Sequence, residues 1–192
     1  MRASLSISIL ALALLTTAAF ATENLLQDGN FATGPAPTWA NTPLFSATLD
    51  TGNGTPAPSL HVQPINLPSF VYQCVSIQEG TFYQISGNLE LTSLSGSAPS
   101  SGIGYLVGFF NNCSLSNINL NSSFTAATLD VDQMTIGVWY SVHTRGMQAP
   151  AGTSIAFVAI GTSDTSQTFA FNADSASFEL DDVIFEDKFE NE

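Results

Sequence analysis

Cations are what this sequence most lacks. Of 192 residues only three are Lys or Arg, against sixteen Asp or Glu, for a formal charge of -13. Arg2 sits in the leader, so Arg145 and Lys188 alone face those acids. Binding to nucleic acid or to an anionic membrane surface needs a basic footprint, and both are excluded as expectations. Long apolar runs are missing as well. After the first residues none reaches the roughly 18 that a membrane-spanning helix requires. Cysteine is scarce, with only Cys74 and Cys113. Two thiols and two distant histidines are too few for a soft-metal site, and in an exported chain the pair is expected as one disulfide. Helix signals are nearly absent: no capped stretch repeats apolar residues at i, i+3, i+4 and i+7.

Catalytic patterns are missing too. There is no G-x-S-x-G elbow and no glycine-rich phosphate loop leading into a helix. A glycosidase needs two carboxylates across a cleft, about 5–5.5 Å apart for retention or about 6.5–9.5 Å for inversion. The nearest pattern, Glu-x-Asp-x-x-Glu, begins at Glu179 and Asp181 but meets Ile184 where its second Glu belongs. Asp130 and Asp132 share a face without a third acid. The expectation is a protein that is not an enzyme.

What is present begins with a leader. Arg2, the apolar run Leu5 to Leu15 and the small-residue site Ala19-Phe20-Ala21 form a signal-peptide pattern over 1–21, with cleavage expected after Ala21. One domain is expected over 22–186, followed by an acidic tail over 187–192. Within it, short runs rich in Val, Ile, Phe, Thr and Tyr alternate with Gly, Pro, Asn and Ser. That predicts strands over 24–31, 44–50, 59–65, 69–77, 81–93, 103–110, 124–131, 137–147, 153–161 and 177–185. Ten short strands in one domain predict an all-β fold, a jelly-roll β-sandwich of two antiparallel sheets. "SLSGSAPSSG" (93–102) reads as a long loop between strands.

Five segments then carry a family resemblance. They are "NLLQDGNFATG…PTW" (24–39), "VYQCVSIQEGTFYQISGNLEL" (71–91), "IGYLVGFFNN" (103–112), "GVWYSVHTRGMQAPAGTSIAFVAI" (137–160) and "FELDDVIF" (178–185). In this order they resemble the carbohydrate-binding modules of families 4, 9 and 22, which are galactose-binding-like β-sandwiches. The resemblance implies a secreted, non-catalytic protein that binds a glycan or polysaccharide reversibly on a concave sheet face. A second reading is an extracellular structural or adhesive protein whose partner is another protein. A distant third is a glycoside hydrolase or its accessory subunit. The resemblance also implies a structural calcium ion held by the Asn30 carbonyl, Asp50 and Asp181, a set of hard oxygen donors. The family's Glu after the opening Phe is Ala32 here, with Asp28 as a substitute.

Alternation supplies the candidate ligand contacts. Tyr83, Ile85, Leu89 and Leu91 with Gly87 form a core face, which turns Gln84, Asn88 and Glu90 outward. His143 and Arg145 share a polar face, with a salt bridge from Arg145 to an acid such as Glu90 as its plainer role. Phe70 and Tyr72 read as partly exposed rings, while Tyr105 lies on a strand of ambiguous parity. The candidate carbohydrate contacts are therefore Tyr72, Asn88, Glu90, Tyr105, His143 and Arg145. Trp39 and Trp139 read as core or wall aromatics, and Phe31 as an anchor for the first strand.

Overall fold

The computed structural model describes residues 23–33, 38–41, 46–54, 57–63, 69–99, 102–114, 124–162 and 168–182. The leader expected over 1–21 and the tail expected over 187–192 lie outside these residues. Ten strands are present: β1 (Ala40–Asn41), β2 (Ser46–Asp50), β3 (Ser59–Gln63), β4 (Ser69–Ser76), β5 (Phe82–Leu94), β6 (Gly102–Phe110), β7 (Thr125–Asp130), β8 (Trp139–Gln148), β9 (Ile155–Thr162) and β10 (Phe169–Leu180). They form two antiparallel five-stranded sheets, the first ordered β1-β4-β9-β6-β7 and the second β2-β3-β10-β5-β8. The expected all-β sandwich is the observed fold. Among the described residues no helix is long and apolar enough to cross a membrane.

Alternation builds the layer between the sheets. From the first sheet come Val71, Val75, Ile103, Val107, Val158 and Ile160; from the second come Leu60, Ile85, Leu89, Leu91 and Phe171, all in one buried cluster. The central polar residue of this layer is Tyr105, which is wholly buried. Its ring lies over β5, so a Cβ on Gly87 would come within 2.3 Å of Tyr105 Cζ. Its hydroxyl meets the carbonyls of Asn88 (3.1 Å) and Asp174 (3.0 Å). Burial, with the nearby Asp174 carboxylate adding to it, pushes the Tyr105 hydroxyl well above the usual tyrosine range.

The opening segment departs from the expected strand over 24–31. It is a run of turns, because Asp28 and Phe31 both adopt φ of 52°, which breaks an extended chain. Asn24 ties it to β10, donating to Ala176 O (2.9 Å) and accepting from Phe178 N (3.0 Å). Gly29 lies against the same strand, since a Cβ there would sit 2.0 Å from Ala176 O. Phe31 is the expected anchor, wholly buried and 5.4 Å from the buried Trp39 ring. β10 also begins earlier than the expected 177, and a bulge at Ser175 divides it.

The expected Cys74–Cys113 disulfide forms and closes a loop of 39 residues. Restricting the unfolded chain over such a loop stabilises the fold by about 4 kcal/mol. Reduction is therefore expected to lower Tm by about 10 °C for a domain of this size. A Tm unmoved after complete reduction, read by calorimetry with thiol quantitation, contradicts this.

Candidate functional site

The outward face of the second sheet gathers polar side chains into rows. Registers place Trp139, Glu90, Asn172, His61 and Thr48 across β8, β5, β10, β3 and β2. The next row holds Ser141, Asn88 and Asp174, and the one beyond brings His143 beside Ser86 and Ser177. Each alternates with a residue of the core, which is why one face is polar and the other is not.

Hydrogen bonds fix this surface. Asn53 Nδ2 donates to Glu90 Oε2 (2.5 Å), bringing the turn after β2 over a carboxylate that is only 5% exposed. Asn172 Nδ2 donates to Asp50 Oδ2 (3.1 Å), while His61 Nδ1 lies 2.7 Å from Asn172 Oδ1. With the Asn172 amide so oriented, His61 Nδ1 is the donor and its Nε2 is left for other partners. Ser141 Oγ donates to Asn88 Oδ1 (2.8 Å). Trp139 is half-buried at the end of the first row, with Glu90 beside it. Asn172 and Asp174 are wholly buried and, with Glu90, brace the face from beneath, while the more accessible Asn88, Ser141, His143 and His61 present donors and acceptors beside the flat apolar plate of the indole.

Of the six expected contacts, Asn88, Glu90 and His143 meet on this face. Tyr105 does not: β6 is a central strand, apolar on both sides, and the ring turns into the core. Tyr72 lies on the outward face of the other sheet, stacked on Phe157 with ring centres 4.8 Å apart. Phe70, expected to be partly exposed, is buried in the same apolar cluster. Arg145 occupies the irregular stretch of β8 and pairs with Asp181 rather than Glu90, Nη2 to Oδ1 at 3.0 Å. Since its side chain is 46% exposed, the ion pair is partly screened. Arg145→Gln is expected to cost less than about 1 kcal/mol. It should also leave polysaccharide affinity within twofold in affinity electrophoresis, and a tenfold loss would return Arg145 to the binding face.

The expected calcium donors are not brought together. Asp181 lies beyond Leu180 at one end of β10, where its Oδ2 accepts from Gly146 N (2.7 Å) and its Oδ1 from Arg145. Asp50 is opposite Ser59 toward the other end of that sheet and bonds Asn172. Asn30 uses its side-chain oxygen on Ala32 N. Among the described residues no group of three or more His, Cys, Asp or Glu could hold a metal ion. A cation and an amide already occupy Asp181, so the residues do not fit the ion as the resemblance implies.

Trp139, Asn172 and His61 are members of this face that sequence reasoning missed. The alternation Phe171-Asn172-Ala173-Asp174 carried the signal for β10. Trp139 could have been found by continuing the outward parity of Ser141 and His143 back by two residues.

No family model matches the chain, and no curated protein matches it. Solved structures do. A module described as "Family 16 Carbohydrate Binding Module-2" superimposes with a TM-score of 0.58 at 14% identity, over 81% of this chain and 99% of that one. The family 61 module TmCBM61, solved with β-1,4-galactotriose, gives 0.54 at 12% identity over 83% and 99%. A C-terminal family 22 module of Clostridium thermocellum, studied for the role of its cleft residues in ligand binding, gives 0.56 at 15% over 79% and 91%. The fold is the one these carbohydrate-binding modules share.

Proposed function

We propose that this protein is a secreted, non-catalytic carbohydrate-binding protein that holds a glycan reversibly on the outward face of its second sheet. The observation that carries this reading is the row Trp139–Glu90–Asn172–His61 across four strands, in which a half-buried indole and imidazole flank a carboxylate and an amide buried between them. Sugars offer apolar C–H faces and rings of hydroxyls, so they need a plate and directed polar groups side by side. The network from Asn53 to Glu90 and from His61 through Asn172 to Asp50 holds these groups in place before a ligand arrives, which limits the ordering cost of binding. Among the described residues Ser59, opposite Asp50, is wholly buried with no partner for its hydroxyl. The similar modules bind saccharides according to their descriptions, galactotriose among them. Export suits the Cys74–Cys113 disulfide, which persists in oxidising compartments.

The test is a panel of soluble and insoluble polysaccharides, including xylan and β-1,4-galactan, run with and without chelator. Retention by at least one polysaccharide is expected, unchanged by chelator because the expected calcium donors lie apart. Absence of binding across the panel overturns the reading.

A further inference from the structure

The Asn172 side chain can meet His61 in two ways, each self-consistent for that pair alone. With its carbonyl toward the ring, the imidazole carries its proton on Nδ1 and leaves Nε2 as an acceptor. With its amide nitrogen toward the ring, the proton sits on Nε2, which becomes a donor. Asp50 decides between them. Its Oδ2 lies 3.1 Å from Asn172 Nδ2, and a carboxylate only accepts, so the amide nitrogen is held there and Oδ1 is turned to His61 Nδ1 at 2.7 Å.

Asp50 is itself fixed. Its Oδ1 accepts from Gly52 N (3.0 Å) in the turn after β2, while the side chain reaches across β3, which carries the wholly buried Ser59 opposite it, to Asn172 on β10. The other carboxylate of the row does not compete, since Glu90, opposite Asn172 on β5, takes its bond from Asn53. Among the described residues nothing bonds His61 Nε2, and the ring is half-buried on the outward face. His61 and Trp139 belong to one row but stand three strand spacings apart, about 14 Å at about 4.8 Å per spacing.

We propose that Asp50 is a positioning residue which, acting through Asn172, fixes His61 as a hydrogen-bond acceptor on the glycan face. The proposal rests on the reading that a glycan lies on the second sheet, and it adds what the ligand must offer at the His61 end: a free hydroxyl that donates to Nε2. An ether, ester or carboxylate oxygen in that place sets lone pair against lone pair and is rejected, because an unpaired polar group costs more than a lost contact. The ligand class is a neutral oligosaccharide longer than a disaccharide. One ring stacks on the Trp139 indole, and a later ring brings an unsubstituted hydroxyl to His61.

Nuclear magnetic resonance of the nitrogen-labelled protein, at a pH of about 8 where imidazole is neutral, reads the tautomer directly. His61 is expected with its proton on Nδ1. In Asp50→Asn the new oxygen can keep the Gly52 bond and the new amide nitrogen then faces Asn172, so Asn172 turns over and the His61 proton should move to Nε2. The exposed His143 is the internal control and should not change. Asp50→Asn and His61→Phe should each weaken retention by β-1,4-galactan or xylan, whichever binds, about tenfold, the weight of one hydrogen bond. The loss should appear with the tetrasaccharide and vanish with the disaccharide, which cannot span the row. A proton on Nε2 in the wild type, or a tautomer unmoved by Asp50→Asn, overturns the proposal and leaves the glycan reading standing. The expected tautomers with unchanged retention in His61→Phe also overturn it, since Nε2 then meets no ligand. If Asp50→Asn does not fold, the wild-type tautomer and His61→Phe carry the same test. No retention of the wild type by any polysaccharide overturns the glycan reading and the demand for a hydroxyl with it, while the tautomers still decide what Asp50 does.

Discussion

Tyr105→Ala is expected to destabilise the protein by about 4 kcal/mol, the range of large aromatic truncations in cores, and so to lower Tm by roughly 10–15 °C. The ring is wholly buried between the sheets and seats on Gly87, whose missing Cβ is the space it fills. Truncation leaves a cavity there and strips the Asn88 and Asp174 carbonyls of their donor. Tyr105→Phe separates the two contributions: it keeps the ring and loses the hydroxyl, and should cost about 1–3 kcal/mol for the unmet carbonyls. The sign of the pH effect follows from the raised hydroxyl. A phenol held protonated in the fold favours the folded state below tyrosine's ordinary value near 10, and that stability is lost as pH rises above it. Alkaline unfolding should therefore be less steep in Tyr105→Phe. Equal Tm for Tyr105→Ala and wild type contradicts the packing described here.

Trp139→Ala should weaken polysaccharide binding by roughly thirty-fold, the equivalent of about 2 kcal/mol for an anchoring aromatic. Trp139 is half-buried at the end of β8 and belongs to the outward row with Glu90, so the fold is expected to tolerate its removal with a Tm change of a few degrees. Glu90→Gln is the companion variant. It keeps the size of a side chain that is 5% exposed while changing an acceptor into a mixed donor and acceptor facing Asn53. Affinity electrophoresis on the polysaccharide that the panel identifies measures both. Unchanged mobility for Trp139→Ala at an unchanged Tm would remove the indole from the site.

Some of this architecture was legible in the sequence, and some was not. Tyr83, Ile85, Gly87, Leu89 and Leu91 alternate so regularly that β5, its core face and the outward Asn88 and Glu90 follow from period two alone. β6 could not be assigned that way, because a central strand covered on both sides is apolar at every position, and Tyr105 went to the face opposite the one expected. Sheet membership was the second gap. Alternation turns Tyr72 outward correctly but does not say that β4 belongs to the sheet opposite β5, and only long-range pairing settles that. β10 was read short because Asn172, Asp174, Ser175 and Ser177 carry the composition of a turn while forming a bulged strand. The opening segment erred the other way: "NLLQDGNF" has strand-like residues, yet positive φ at Asp28 and Phe31 turns it into a clamp on β10.

A glycan lying across Trp139, Asn88 and His61, above the buried Glu90 and Asn172 that brace them, is what remains to be tested. Nuclear magnetic resonance titration of the isotopically labelled protein with oligosaccharides of the retained polysaccharide tests it most directly. Saturable shifts of the Trp139 indole N–H and of the Asn88 and Asn172 side-chain amides are expected, with the Tyr105 backbone signal moving little. Saturable binding that leaves all three of those side-chain signals in place would contradict it.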